Sequence, residues 1–316
     1  NIDSIAKSEG WDNLLDPMIA AIHKCENNSG PYCAAPVNIH RIDWMWANKA
    51  VFDANGISVP TTWDELNAAA EKLQAAGIIP FAHGGQAWQD ATVFEAVAMG
   101  IGGNNYYKNC YVDLKETCLR SETTVKVFDQ MRKLQGFTDE GSPGRDWNVA
   151  TGMVIEGKAG FQIMGDWAKG EFTAAGKVPG VDYYCAATPS NNGYLYNVDS
   201  FIFYKSSDPD KQAGQKLLAK LMMGKNFQKV FNLYKGSIPA RLDVPMDEFD
   251  KCAKTSNADI KTAGASGGLV PSFAHGMAQG NTMKAALQDI ITEHFNSDMS
   301  SVDAANALAD SVLANM

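Results

Sequence analysis

Apolar residues recur at helical spacing over residues 2–23, where Ile2, Ile5, Ala6, Leu14, Leu15, Met18, Ile19 and Ile22 predict helix. A break follows over 27–31, and residues 34–46 read as extended, rich in aromatic and β-branched side chains. Thr62 and Glu65 form a capping box after Pro60, so a helix opens at Trp63. Leu66, Ala69, Ala70 and Leu73 make its apolar stripe, and Gly77 ends it. Residues 78–82 predict a short strand that runs into the turn His83-Gly84-Gly85. Further helices are predicted over 90–100, 121–135, 147–156, 209–222, 225–233, 281–295 and 301–315, and a strongly β segment over 194–204. Strands alternate with helices, which is the pattern of α/β layers.

The stretch Gly157-Lys-Ala-Gly-Phe-Gln-Ile-Met-Gly-Asp-Trp-Ala-Lys-Gly-Glu-Phe172 is dense in local signals. Residues 161–164 predict a buried strand, Gly165 and Asp166 a tight turn, and Asp166 the N-cap of a helix with Trp167 in its first turn. A Trp there stands at the C-terminal edge of a sheet, where open α/β folds bind ligands. Its indole suits the C–H face of a sugar ring and equally suits the closing of a lobe's core.

The chain has 316 residues, enough for two domains with sizeable cores. A net charge of −9 argues against nucleic acid and anionic membrane surfaces as partners. No run of 18 apolar residues occurs, so nothing reads as a membrane span. With neither an initiating Met nor a signal-peptide pattern, the sequence reads as processed or truncated. Six cysteines allow fifteen pairings. Cys25 and Cys33 flank one turn-rich loop and Cys110 and Cys118 another; Cys185 and Cys252 then remain for a long-range bridge. Each short loop would contribute about 2.6 kcal/mol by chain entropy and the long one about 4.4. The competing reading of the first pair is a metal site with His23 and His40, but its spacing lacks the knuckle of structural zinc. Three bridges imply an oxidising compartment, periplasm or exterior.

Asn197 and Asp199 alternate with Val198 in the β segment, so an amide and a carboxylate point to one side and can grip adjacent hydroxyls. Lys235 follows a helix and either caps its negative end or faces a ligand. His275 lies between two flexible stretches. The His83-Gly-Gly-Gln86-x-Trp88 stretch is either a loop supplying an indole to a cleft or a plain turn. No nucleophile elbow, zinc-protease helix, P-loop or dinucleotide fingerprint is present.

Pro60-Thr-Thr-Trp-Asp-Glu-Leu66, Ala82-His-Gly-Gly-Gln-Ala-Trp-Gln89, Gly165-Asp-Trp167, Asn197-Val-Asp-Ser200, Lys235-Gly-Ser-Ile-Pro239 and Ala274-His-Gly-Met277 follow one another in that order. Together they resemble the periplasmic glucose-binding proteins of bacterial ABC sugar importers, within the family-1 extracellular solute-binding proteins. The likeness runs over essentially the whole chain. It implies a two-lobed, type II periplasmic-binding-protein fold: α/β lobes from 1–40 with 205–256 and from 44–201 with 260–316, and a hinge of crossing strands near 37–46, 199–204 and 253–263. It implies a monomer that captures a monosaccharide, glucose above all, and delivers it to a membrane ABC permease, with a chemoreceptor as a further partner and no cofactor, metal or catalysis. A secreted glycosidase is the alternative, and it requires two carboxylates across a cleft. By motif position Trp167 resembles the stacking indole; Asn197, Asp199, Lys235 and His275 the hydroxyl ligands; and His40 a hinge ligand. The resemblance also implies that Cys185 pairs with Cys252, while cysteines at 25, 33, 110 and 118 are not a family expectation. Family members carry a further N-terminal segment with a Trp pair, a Glu and a Lys on the sugar. Asn1 corresponds to a point inside the helix after that segment, so the sequence reads as incomplete.

Overall fold

Divisions of the chain after His40, Asn197 and Lys254 separate two units in a computed structural model, which describes residues 2–189 and 193–316. The first unit joins Asn1–His40 to Val198–Lys254, and the second joins Arg41–Asn197 to Thr255–Met316.

The second unit is built on a sheet with strands in the spatial order Ile79–Phe81, Ala159–Ile163, Trp44–Asn48, Tyr183–Ala187. Ile79–Phe81 runs parallel to Ala159–Ile163, with Phe81 beside Phe161. Trp44–Asn48 runs antiparallel to both of its neighbours, Met45 opposite Ile163 and Trp46 opposite Cys185. Every residue of Ala159–Ile163 is buried, as expected of a strand covered on both faces. The expected strand over 161–164 is therefore present, shifted two residues toward the N-terminus at its start. Helix Ala87–Tyr107 is buried around its first half, with Gln89, Asp90, Thr92 and Glu95 enclosed among its apolar residues. Phe94 on that helix meets Phe128 with ring centroids 5.0 Å apart, Tyr111 at 5.7 Å and Phe273 at 6.3 Å. Burial of such aromatics, worth about 1.5–3 kcal/mol each, gathers helices Glu122–Gln135, Asn281–Asn296 and Ser301–Ala314 around it. All four of these helices correspond to predicted ones.

The capping box is present in full. Thr62 Oγ1 accepts the Glu65 N–H at 3.1 Å, and Glu65 Oε2 accepts the Thr62 N–H at 3.3 Å. Helix Trp63–Ala75 buries Leu66, Ala69, Ala70 and Leu73, and Gly77 follows at φ +74°.

In the first unit the single helical stretch expected over 2–23 is three helices, Asp3–Ser8, Trp11–Leu14 and Pro17–Ile22. Gly10 in a left-handed conformation ends the first turn sequence, and Asp16 restarts the chain by accepting the Met18 N–H at 2.9 Å. Strand Ala34–Pro36 pairs antiparallel with Ser200–Ile202, Ala35 opposite Phe201. Helices Pro209–Met222 and Lys225–Lys235 follow. The β segment over 194–204 is two strands: Tyr194–Asn197 in the second unit and Ser200–Ile202 in the first. The third expected crossing, over 253–263, is not a strand. It lies inside helix Lys251–Ser266, a run of Ala, Lys, Ser and Thr with no β-branched apolar cluster.

Cys25–Cys33 and Cys110–Cys118 are disulfides, with Cα–Cα distances of 5.8 and 5.2 Å. Their sulfurs are thus not available as metal ligands, and His23 contacts the Ile19 carbonyl and the Ser200 hydroxyl instead. Neither Cys185 nor Cys252 is a free thiol. Among the described residues no helix is long and apolar enough to cross a membrane.

Removing the capping hydroxyl leaves the first turn of Trp63–Ala75 short of one acceptor. Thr62→Ala should lower unfolding stability by about 1 kcal/mol in urea titration with unchanged helical content; an unchanged midpoint would show that the box contributes nothing.

Candidate functional site

Two groups of polar and aromatic side chains stand out, one in each unit. In the second unit the Gly165-Asp166-Trp167 turn follows strand Ala159–Ile163. Asp166 stands one residue ahead of the assigned N-cap of the next helix, Trp167. Its carboxylate accepts the Arg41 N–H at 3.0 Å while its own N–H donates to the Arg41 carbonyl at 2.9 Å, so the turn is stitched to Arg41. Trp167 itself takes the N-cap position of Ala168–Ala174, without a side-chain cap. A Cβ on Gly165 would stand 2.2 Å from the Trp167 ring, so glycine there is what lets the indole lie back over the turn.

Trp167 meets His275 edge-on, with centroids 5.1 Å apart, and His275 meets Trp88 in the same fashion at 5.9 Å. The two indoles are 6.3 Å apart. All three rings are partly buried. Trp88 begins helix Ala87–Tyr107, which resolves the His83–Trp88 stretch as a turn that delivers an indole. Thr92, one turn on and fully buried, donates to the Trp88 carbonyl at 2.7 Å. The same oxygen lies within hydrogen-bond distance of His275 Nε2, at 3.1 Å. Asn197 closes strand Tyr194–Asn197 and is half-buried. That strand stops short of Asp199, which belongs to the first unit.

In the first unit Asp199 sits inside a frame of donors. Its Oδ2 accepts from Asn38 Nδ2 at 3.0 Å and from His40 Nε2 at 3.0 Å, and Lys235 Nζ lies 3.6 Å away. Asn38 also fixes the backbone, its Oδ1 accepting the Asp199 N–H at 2.8 Å. Asn38 and His40 are buried, whereas the Asp199 side chain keeps 38% of its exposure and Lys235 keeps 41%. Lys235 is the last residue of helix Lys225–Lys235, ahead of Gly236 at φ +95°. Its ammonium therefore serves both the helix's negative end and the carboxylate. Burial by itself would raise the Asp199 carboxyl. The His40 hydrogen bond and charge, the Asn38 amide and the Lys235 charge outweigh it and hold the group well below its ordinary 3.8. Asp199 is thus a fixed anion with part of its surface open, able to accept hydroxyl protons from a neutral polyol.

The structure brings His40, Asp199 and Lys235 together in one unit and Trp167 and His275 together in the other. Sequence reading missed Asn38 and Thr92. Asn38 carries a signal in hindsight, two residues before His40 and so on the same side of an extended chain. Thr92 carries none beyond its place one turn after Trp88.

A depressed folded value means that ionised Asp199 contributes stability above the ordinary carboxyl range, and that this is lost as pH falls through the folded value. Asp199→Asn should therefore show a shallower loss of urea stability between pH 5 and pH 3 than the unaltered chain. Parallel acid limbs in the two proteins would mean that the frame does not hold the anion.

Known proteins give this geometry a setting. Residues 1–222 match the model of the bacterial extracellular solute-binding protein family. A protein named as a probable sugar-binding periplasmic protein in Brucella suis biovar 1 is 46% identical over 313 residues, covering 99% of this chain and 73% of the relative. One of the same name in Rhizobium meliloti is 44% identical over 313 residues, covering 99% and 74%. Among solved structures, the bacterial solute receptor AcbH, described as having an exclusive preference for β-D-galactopyranose, superposes with a TM-score of 0.83 at 19% identity, covering 99% of this chain and 79% of its own. That last likeness speaks for the fold. The glycosidase alternative finds no support among these relatives, which are binding proteins and not enzymes. The chain belongs to the bacterial extracellular solute-binding proteins.

Proposed function

We propose that this member of the extracellular solute-binding proteins captures a sugar in the periplasm, D-glucose foremost, and hands it to a membrane ABC permease. The observation that carries the reading is Asp199: a partly open carboxylate kept anionic by an amide, an imidazole and an ammonium. Such a group accepts from a sugar hydroxyl and strongly rejects an analogue lacking it, since the carboxylate would then be left desolvated and unpaired. The Trp88–His275–Trp167 cluster supports the same ligand class, offering indole faces for C–H stacking beside a ring nitrogen. Asn197, Lys235 and His40 complete the proposed ligand set. The names of the relatives above support the sugar and the periplasm; the order of motifs supports glucose.

Transport needs capture and release. A sugar held more tightly by one arrangement of the protein than by another shifts the population toward the first by that difference. The protein works as a monomer, with a chemoreceptor as a further partner. Cys185 and Cys252 form its third bridge.

Isothermal titration of the chain with D-glucose, then D-galactose, tests the reading: one-to-one binding is expected, tighter for glucose. Asp199→Ala and Trp167→Ala should each weaken it by about 10- to 100-fold while circular dichroism stays unchanged. Wild-type affinity in both variants would remove these residues from the site, and heat from neither sugar would remove the function. A peptide map under non-reducing conditions should recover Cys185 and Cys252 in one linked pair; either cysteine found elsewhere rules out that bridge.

A further inference from the structure

We propose that Glu95 is a positioning residue of this site: its buried carboxylate clamps the 272–274 loop to helix Ala87–Tyr107 and so holds His275 against Thr92 and the two indoles. The proposal rests on the sugar-binding reading and deepens it. Trp88, Thr92 and Glu95 lie at i, i+4 and i+7, one stripe of a single helix. Each grips the same loop. Trp88 meets the His275 ring, and the Thr92 hydroxyl hydrogen-bonds its Nε2. Glu95 Oε1 accepts from the Ser272 hydroxyl at 2.7 Å. Glu95 Oε2 accepts from the Tyr107 hydroxyl at 3.0 Å, the Phe273 N–H at 3.1 Å and the Ala274 N–H at 3.4 Å. The Ser272 oxygen in turn accepts the His275 N–H at 3.1 Å, so the chain of contacts ends on the residue facing the ligand. Glu95, Thr92 and Ser272 are each 0% exposed.

Four donors suit an anion; a neutral acid would leave two backbone N–H groups pointing at a hydroxyl. The structure nevertheless accommodates the acid form. The Tyr107 hydroxyl lies 3.0 Å from Glu95 Oε2 and 3.1 Å from the Pro271 carbonyl. When Glu95 takes a proton from solvent onto Oε2, it can donate to Tyr107, whose own proton turns to Pro271. The clamp on Phe273 and Ala274 weakens as a result. Burial pushes the Glu95 carboxyl up to about 7, with the hydrogen bonds from Ser272, Tyr107, Ala274 and Phe273 opposing it. Both forms are thus within reach at neutral pH.

The titratable groups around the clamp are few. Tyr107, on the same helix, is held well above its ordinary range, and Tyr196 of strand Tyr194–Asn197 faces it. Tyr111 packs on Tyr107. Asp90, further back on the helix, is engaged by His83 and Thr292. Helix Asn281–Asn296 brings Lys284 near Gly276 and His294 against Phe128. His275 itself is the group that mimics Glu95 in a pH series, and the test separates the two.

The amide ¹⁵N signals of Phe273 and Ala274 should titrate with a midpoint near 7 in the wild type and in His275→Gln, and should not do so in Glu95→Gln. Persistence of that step in Glu95→Gln, or its loss in His275→Gln alone, overturns the proposal. D-glucose titration of wild type and Glu95→Gln supplies the second readout. At pH 5.5 both carry a neutral side chain and should bind alike; at pH 8 the wild type should bind about tenfold more tightly. A constant ratio across the range would indicate a structural role only and reject the clamp. If the wild type takes no sugar at any pH, the function proposed above fails. The amide series, read together with the His275 ring signals of the wild type and Glu95→Gln, then decides the clamp on its own.

Discussion

Taking an ionised carboxylate out of water costs several kcal/mol unless fixed donors replace the lost solvent, and the described site groups are arranged around meeting that cost. Asp166 is satisfied by the Arg41 backbone, and the turn bearing Trp167 is held in consequence. Asp43 is satisfied by Arg41 and by the Leu195 N–H, which fixes the start of strand Tyr194–Asn197. Glu95 is satisfied by the loop that ends on His275. Asp199 is satisfied by Asn38 and His40. In three of these four cases the donors are backbone N–H groups of a segment without regular secondary structure or at its edge. A loop that would otherwise be free to move is thereby given one low-energy position, because any other leaves a buried anion short of partners.

This ordering matters more for a binding protein than any single contact. Holding a side chain in its bound geometry before the ligand arrives avoids an ordering cost at the moment of binding. The Trp167 indole is fixed by the missing Cβ of Gly165 and by the Asp166 stitch; the His275 ring is fixed by Thr92 below it and by Ser272 behind it. Asp199, by contrast, is fixed through its backbone by Asn38 and left partly open. Trp167 and His275 are braced by packing and Asp199 by charge.

What could be read from the sequence divides along the same line. The capping box at Thr62 and Glu65, the strand before Gly165 and the helices around Phe94 follow from local rules, and they stand. So does the gathering of His40, Asp199 and Lys235, whose motifs are recognisable as units. Asp166 reads locally as a cap, whereas its Oδ2 bond to the Arg41 N–H is a long-range contact that no local rule shows. The segment 194–204 misled because β propensity is blind to a change of sheet: Asn197 ends one strand and Ser200 begins another, in a different unit. Helix Lys251–Ser266 was hidden behind an expectation of crossing strands, although its composition favours helix. Glu95 was unreadable for a plainer reason, and Asn38 carried only its spacing from His40. Nothing in an Asn or a Glu says that it will be buried; only the fold decides which polar residues must be fed with donors.

Once that decision is made, the three residues of the helix stripe cease to be independent. Trp88, Thr92 and Glu95 share one partner, the 272–275 loop, so loosening any of them changes what the other two can reach. Thr92 bonds both the Trp88 carbonyl and His275 Nε2 through one oxygen. His275 Nε2 can reach Thr92 only while Ser272 holds the His275 N–H, and Ser272 is aimed by Glu95. The His275 imidazole is thus the last link of a hydrogen-bonded chain whose first link is a carboxylate out of solvent, and its orientation is only as firm as that carboxylate's charge.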